Sequence, residues 1–519
     1  MAESGAAGRL ADRAHESAGV KNAQPLCSVT GLVLGLCACG SLPSHTAPSD
    51  RLAGVELGSR PTLSVADLFV PPAPTVLRPP GLPEVWFLER RSLPLIGLRV
   101  VVSRGSAHDP PGKAGLAALT AEMMEQGAGR FSALEIAREF DRIGATASVS
   151  SERDATVISV SVLRPHLSRA LELLSDVLAR PRFEEKDFER AKHLWLEQLA
   201  ARAFDPSSVG TLVANRALLG DGHPYGRPVD GLVADVNGLK LADVRSFHAQ
   251  AIRPKHARIL IVGDVRESDL QALLTPVFSP WGALPEADGA DLGHADGADL
   301  GHAVAHRTWV DRPRAVIVDR PDAPQTLLIL AAPGPSAGSS DRLALTHVNT
   351  PLGALFTSRL NANLREDKGY TYGARSIVSG GRFPGLNLAM ASVERSVTEA
   401  ALRELVKEVD GMARGGPTDE ELKKARAAFT QDAIESYETL DGALDSLTRV
   451  AVRGLPPDAD ARAARAALTL TDEQVRAAAP SLGFQRGALI AVGDRKTIEH
   501  ALTALDWPTP EVRDEEGRP

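Results

Sequence analysis

Cysteine is almost absent from this chain: the three in 519 residues are Cys27, Cys37 and Cys39, all near the start. Everything after them therefore lacks both a disulfide framework and a thiolate metal site. Aromatic residues are scarce at 4%. An excess of positive charge is missing too. The formal net charge is −8 and no basic cluster offsets it, which argues against a nucleic-acid binder.

What is present is the composition of a soluble globular protein, 43% hydrophobic and 24% charged, long enough for two to four domains. The cysteines sit in Leu26-Cys-Ser-Val-Thr-Gly-Leu-Val-Leu-Gly-Leu-Cys-Ala-Cys-Gly-Ser41. An apolar run after Lys21 ending in small residues reads as the core of a signal peptide and is too short to span a membrane. Leu36-Cys-Ala-Cys39 resembles a bacterial lipobox, which makes Cys39 the residue to be lipidated; a plain secretory signal cut near Ala38 is the alternative. Cys37 in the middle of the box departs from the usual pattern. Gly40 after the cysteine points by analogy to the outer membrane. Residues 1–39 are thus assigned as signal peptide, and 40–83, rich in Pro, Ser, Ala and Gly, as a flexible tether.

Further on, sheet-like and helical patterns alternate. Leu95–Ser103 is an apolar β-rich run, Gly115–Gln126 reads as a helix, and Ser132 with Glu135 forms a capping box for the next. Thr146–Ser150 and Thr156–Val162 suggest an antiparallel pair, and His166–Leu178 and Glu184–Ala203 two helices. A sheet with helices laid on it is α+β. The octapeptide Ala287–His294 recurs unchanged as Ala295–His302, which reads as a spacer within a linker at 285–305 rather than a cation site. After it the pattern restarts. Strands are expected near Ala315–Val318, Thr326–Ala331, Ser376–Ser379 and Leu386–Ala391, and Ala488–Asp494 echoes Ile259–Asp264. A helical stretch from Asp341 is interrupted by Pro351, Ser396–Met412 is helical, and Thr418 and Thr471 open capping boxes. Residues 507–519 are charged and read as a disordered tail.

The stretch Leu352–Arg375 carries the most chemistry. Ser358–Glu366 reads as a helix, Gly369 as its stop, and Tyr370-Thr-Tyr372 as the start of a strand, so that Arg365 and Tyr372 share one corner. An Arg fork and a Tyr hydroxyl so placed suit the carbonyls of an extended peptide. The plainer reading has Arg365 capping helix carbonyls and Tyr372 in the core.

SRLNANLREDKGYTYGA resembles the C-terminal signature of the pitrilysin/insulinase family of inverted-motif zinc proteases, which includes the mitochondrial processing peptidases. The resemblance spans roughly Leu82 to Leu505. It implies two homologous sheet-plus-helices domains related by internal duplication, at 84–284 and 306–506. It also implies that Arg365 and Tyr372 bind substrate and support the carbonyl oxygen under attack. The family's first helix carries H-x-x-E-H, two zinc ligands and a general base. Aligned on it, GLAALTAEMM puts Ala118 at the first ligand, Ala121 at the base and Glu122 at the second ligand. Gln198 stands where the third ligand is expected, with Glu197 one step off. No metal ligand set or general base remains, so no zinc is expected in this chain. Asp205-Pro206, Arg258–Asp264 and His223-Pro-Tyr-Gly-Arg-Pro228 also resemble family landmarks; His223 reads as part of a structural turn.

The function implied is that of a noncatalytic, substrate-binding subunit of a heteromeric periplasmic zinc peptidase, anchored as a lipoprotein. Zinc would sit in a homologous H-x-x-E-H partner, and a peptide would be the substrate. An inactive scaffold of the same fold is the alternative.

Overall fold

The computed structural model describes residues 69–284 and 314–519. The lipobox with Cys39, most of the tether and the duplicated octapeptide lie outside the described residues. Two six-stranded sheets organise the rest. The first contains β1 (Thr75–Leu77), β2 (Glu84–Glu89), β3 (Leu95–Val102), β6 (Thr146–Ser151), β7 (Thr156–Leu163) and β8 (Ala257–Gly263). Two short strands, β4 (Gly127–Ala128) and β5 (Phe131–Ser132), pair apart from it. The second sheet contains β9 (Ala315–Asp319), β10 (Gln325–Gly334), β11 (Thr371–Gly380), β12 (Pro384–Glu394), β13 (Ala488–Gly493) and β14 (Glu511–Arg513).

Strand order shows the duplication. The first sheet runs β1-β2-β8-β3-β7-β6, and the second, read from its far edge, runs β14-β9-β13-β10-β12-β11. In both, the closing strand (β8 or β13) lies between the first two long strands of its half. It is parallel to one and antiparallel to the other. The fold is α+β, two sheet-plus-helices halves.

Each sheet is covered on one face by helices of its own half. In the first half these include Leu116–Glu125, Leu167–Ala179 and Glu267–Gly282, whose Leu119, Met123, Leu171, Leu174 and Phe278 are buried against Leu98, Val100 and Ile259. The other face is covered by a helix lent by the opposite half. Pro206–Leu219 lays Val209 and Val213 on Val316, Ile329 and Val492 of the second sheet. In return Leu440–Val452 lays Leu444 and Leu447 on Val101, Leu260 and Val262 of the first. With both faces dry, the central strands read as continuous apolar runs rather than alternating ones.

The lent helices start cleanly. Asp205 accepts from the N–H groups of Ser207 (3.2 Å) and Ser208 (3.0 Å), with Pro206 at the first helical position, and Thr439 Oγ1 accepts from Gly442 N (2.9 Å). A glycine marks each contact. A Cβ on Gly210 would lie 2.8 Å from side-chain carbons of Ile329 and Leu327, and one on Gly97 would lie 2.7 Å from Leu444 Cδ2. Arg90, from the first half, donates to the Glu438 and Thr439 carbonyls at 3.2 Å. Arg320, from the second, donates to the Ala203 carbonyl.

Two expectations are corrected. The tether does not run to residue 83: β1 pairs antiparallel with β2, and Phe69 lies with its ring centroid 6.4 Å from that of Tyr437. Nor is the tail after Trp507 disordered. Val512 and its neighbours add β14 parallel to β9, and Glu516 Oε1 accepts from Val233 N at 2.8 Å. The charges that suggested disorder pair within the tail, Arg518 with Asp514 (2.7 Å) and Arg513 with Glu511 (3.0 Å). Among the described residues no helix is long and apolar enough to cross a membrane.

Candidate functional site

Helix Leu116–Glu125, where the zinc motif would lie, is held at its start by a buried carboxylate. Asp109 accepts from Gly115 N and Ala117 N, both at 2.8 Å. Burial pushes its pKa up to about 7 against those two donors. Ala118 and Ala121 are buried on this helix and bring no donor atom. Glu122 accepts from Gln126 Nε2 at 2.8 Å, and Gln126 accepts in turn from Arg190 (2.7 Å). Gln198 lies on the adjacent helix Glu185–Arg202, exposed, and Glu197 pairs with His193 at 3.3 Å. One carboxylate already bound to an amide, beside two methyl groups, does not fit zinc. Among the described residues no three His, Cys, Asp or Glu side chains gather to hold a metal ion.

Arg365 and Tyr372 occupy a different corner, in the second half. The segment leading to it is a chain of local devices. Helix Arg342–Asn349 gives way at Pro351 to a wider turn over Thr350–Ala354. Gly353 there approaches β11 so closely that a Cβ would lie 2.4 Å from Ser376 N. A single α-turn, Arg359–Asn361, then widens into a π-turn over Ala362–Asp367, where an unbroken α-helix was expected. Side-chain anchors hold it in place. Arg359 makes a two-pronged ion pair with Glu421 (2.6 and 2.7 Å), and Asn363 Nδ2 donates to Glu404 (2.8 Å) and Glu408 (2.7 Å). The turn closes as the sequence indicates. Gly369 adopts φ +64°, Gly369 N donates to the Arg365 carbonyl (3.1 Å) and Tyr370 N to the Leu364 carbonyl (2.8 Å).

The strand that follows is interrupted at once. Thr371 pairs with Val393 but Ala374 with Ala391, so one extra residue bulges from β11 at Tyr372-Gly373. Thr371 Oγ1 donates to the Ser392 carbonyl (2.7 Å) and accepts from Gly373 N (3.1 Å), which fixes the bulge. Its effect is to turn Tyr372 outward: the residue is 92% exposed. The reading with Tyr372 in the core is thereby excluded. Arg365 is half-buried, its guanidinium carbon 4.3 Å from the Phe356 ring centroid and its Nε 3.3 Å from Glu366 Oε1. Phe356 is itself 66% exposed. A cation stacked on an exposed ring, on the turn, and an exposed phenol, at the start of the edge strand of the second sheet, present donors at this corner.

Arg365 and Tyr372 are thus brought to one corner, while Ala118, Ala121, Glu122 and Gln198 lie together on two packed helices of the other half. His223 belongs to neither group. Its Nδ1 accepts from Tyr225 N at 2.9 Å and its carbonyl from Gly226 N at 3.0 Å, so the segment is a turn. Asn361 was not anticipated. Buried, it accepts from Ala374 N at 2.9 Å and so ties the turn bearing Arg365 to the strand bearing Tyr372. A paired Asn in a helical run, a residue type that prefers turns and caps, was the available signal.

Residues 90–217 match the family model described as insulinase (peptidase family M16), and residues 238–429 match the one described as peptidase M16 inactive domain. An uncharacterized zinc protease of Mycobacterium tuberculosis is 27% identical over 457 residues, 82% of this chain and 99% of that protein. The crystal structure of a peptidase M16 inactive domain from Pseudomonas fluorescens superimposes with a TM-score of 0.72 at 24% identity, covering 81% of this chain and 98% of that one. The periplasmic protease PqqL from Escherichia coli gives a TM-score of 0.65 at 15% identity, over 84% of this chain and 50% of that chain.

Proposed function

Because the chain belongs to peptidase family M16 yet its zinc-motif positions carry no fitting donor set, we propose that it is the noncatalytic, substrate-binding subunit of a heteromeric periplasmic zinc peptidase. The observation that carries this reading is the contrast between the two corners. One has lost every metal ligand and the base, and its surviving carboxylate is tied to Gln126. The other keeps an Arg and a Tyr, with a bulge and a ring that hold both toward solvent. A scaffold has no chemical use for a phenol exposed in this way.

In this reading a homologous H-x-x-E-H chain brings zinc and the base. This chain has the fold of half the length of PqqL. This chain supplies hydrogen-bond donors. Arg365 offers a planar cationic fork and Tyr372 one O–H, both suited to the oxygen that gains negative charge when a peptide carbonyl is attacked. The outer edge of β11 is itself taken up by side chains, Asn361 accepting from Ala374 N (2.9 Å), Asn349 donating to the Ser376 carbonyl (3.1 Å) and Arg342 to the Val378 carbonyl (3.2 Å), so contact with a peptide falls to the exposed side chains. Acylation at Cys39 would hold the subunit on the envelope membrane.

Co-expression with an H-x-x-E-H homologue tests the reading. A stoichiometric complex on a sizing column, hydrolysing peptides that neither chain cleaves alone, is the expected result. No complex, or a complex no more active than the partner alone, would leave the scaffold reading.

A further inference from the structure

A second polar site lies at the seam between the halves. A cavity of about 290 Å³ is lined by Glu152, Arg153 and Asp154 from the β6–β7 turn, by Tyr225, by Arg342, by the far end of β11 and the turn after it, and by Arg453 just after helix Leu440–Val452. Its floor is built by close approach. Tyr225 Oη donates to Asp154 Oδ2 (2.6 Å) and accepts from Phe383 N (3.1 Å), and Arg382 N also donates to Asp154 Oδ2 (3.0 Å). Gly381 must be glycine here, since a Cβ would lie 2.3 Å from Asp154 Oδ2 and 2.4 Å from Tyr225 Oη. Halves joined through a Tyr–Asp pair need no arginine beside it, yet three line the wall.

Those arginines are under-neutralised. Among the described residues none of Arg153, Arg342 and Arg453 has a carboxylate within ion-pair distance. Arg153 lies over the Tyr225 ring at 5.4 Å, with its Nε buried and without a hydrogen-bond partner. Arg342 reaches only the Pro335 (3.4 Å) and Val378 (3.2 Å) carbonyls. Of the two acids, Asp154 is 4% exposed and already takes two donors on one oxygen, while its Oδ1 is buried and unpartnered. Glu152 faces solvent. Burial and the neighbouring Arg453 and Arg449 push the Arg342 pKa down to about 10, the mark of positive charge without compensation.

We propose that this cavity is an oxyanion-binding site, taking a carboxylate or phosphate group between Arg342 and Arg453 with Arg153 behind. Two sources share that chemistry, the C-terminal carboxylate of a peptide and free inorganic phosphate. The peptide source rests on the proposed function. β11 runs from Tyr372 to the cavity wall at Ile377–Gly380, about 25 Å at the rise of an extended strand, so one bound peptide can engage both. A C-terminal residue also brings a backbone N–H, the kind of donor that Asp154 Oδ1 lacks.

The test uses the mature chain alone, so it does not depend on any partner or on hydrolysis. A fluorescently labelled octapeptide with a free C-terminal carboxylate, and the same peptide amidated, are titrated by anisotropy, and inorganic phosphate by calorimetry. The free acid is expected to bind at least about tenfold tighter than the amide, since charge-assisted fork contacts are lost with the charge. Arg453→Gln and Arg342→Gln should erase that difference while Tyr372→Phe leaves it. Circular dichroism checks each variant's fold, and Arg453→Gln alone decides if Arg342→Gln unfolds. Phosphate binding that Arg453→Gln abolishes, without discrimination between acid and amide, assigns the site to a free oxyanion. Equal affinity for acid and amide together with no phosphate binding overturns the proposal. Loss of this site would leave the proposed subunit role standing, and failure to assemble with a partner would leave the site standing.

Discussion

The side-chain oxygen of Asn361 accepts a 2.9 Å hydrogen bond from the backbone N–H of Ala374, and this one contact joins the turn that carries Arg365 to the strand that carries Tyr372. Both ends are buried, and the Asn361 amide also donates to the Leu355 carbonyl at 3.3 Å. Asn361→Ala leaves the Ala374 N–H without a partner, which costs about 1–3 kcal/mol. The expected outcome is a lower midpoint in urea unfolding and, in the assembled peptidase, a fall in turnover larger than that of an exposed control such as Glu366→Gln.

The exchanged helices make a second prediction. Gly210→Ala drives a methyl into Ile329 and Leu327, and Gly97→Ala drives one into Leu444 and Leu440. Overpacking of this kind costs about 1–3 kcal/mol. Both should destabilise by similar amounts, because the two contacts are mirror uses of one device. Gly144→Ala, with φ +61° and open space around it, should cost only the backbone strain of about 1–2 kcal/mol. Denaturant midpoints of the three variants check the order.

Acid sensitivity follows from two buried histidines. His248 Nε2 donates to the Leu178 carbonyl at 3.0 Å, and burial holds its pKa down to about 4; burial, with Arg104 and Arg382 nearby, holds that of His108 down to about 3. Unfolded, each ring takes up a proton near its ordinary value of about 6.5. Below that the unfolded chain binds more protons than the folded one. The stabilisation is therefore complete above about pH 6.5 and is lost as pH falls toward 4, by about 3 kcal/mol for His248. Urea unfolding from pH 7 to 4 should show this decline, and His248→Gln should flatten part of it.

Much of the architecture was legible in the sequence because its elements obey local rules. Leu95–Val102, Thr156–Leu163 and Ala488–Gly493 stand where apolar runs place strands, and the Thr418 and Thr471 capping boxes open helices. Gly369 closes the Arg365 turn as its position suggested. Less legible were features set by distant contacts. Pro206–Leu219 and Leu440–Val452 are defined by the sheet of the opposite half, which no local period reports. β1 and β14 are short strands whose pairing partner alone makes them strands. The bulge at Tyr372 depends on register with β12, and the arginine-lined cavity on five segments spread between Glu152 and Arg453.

Zinc gives a fourth prediction. With Ala118, Ala121, Glu122 and Gln198 at the motif positions, the purified chain should bind no stoichiometric zinc, and chelator should leave its melting temperature unchanged. The fourfold variant Ala118→His, Ala121→Glu, Glu122→His and Gln198→Glu should bind about one zinc per chain, since the two helices that would carry the ligands already pack together. Metal analysis after dialysis decides it.

The central claim is that Arg365 and Tyr372 act on the substrate of an assembled peptidase. It is tested by steady-state kinetics of the complex formed with an H-x-x-E-H partner, comparing wild type with Arg365→Ala, Tyr372→Phe and the double variant. A sizing column confirms assembly of each. Loss of one donor to a developing oxyanion typically lowers turnover by about 10²–10³. Falls of that order in kcat with assembly intact are the predicted result, and Arg365→Lys should rescue poorly because a point charge does not replace the planar fork. Near-normal turnover of the double variant in an intact complex would contradict the account.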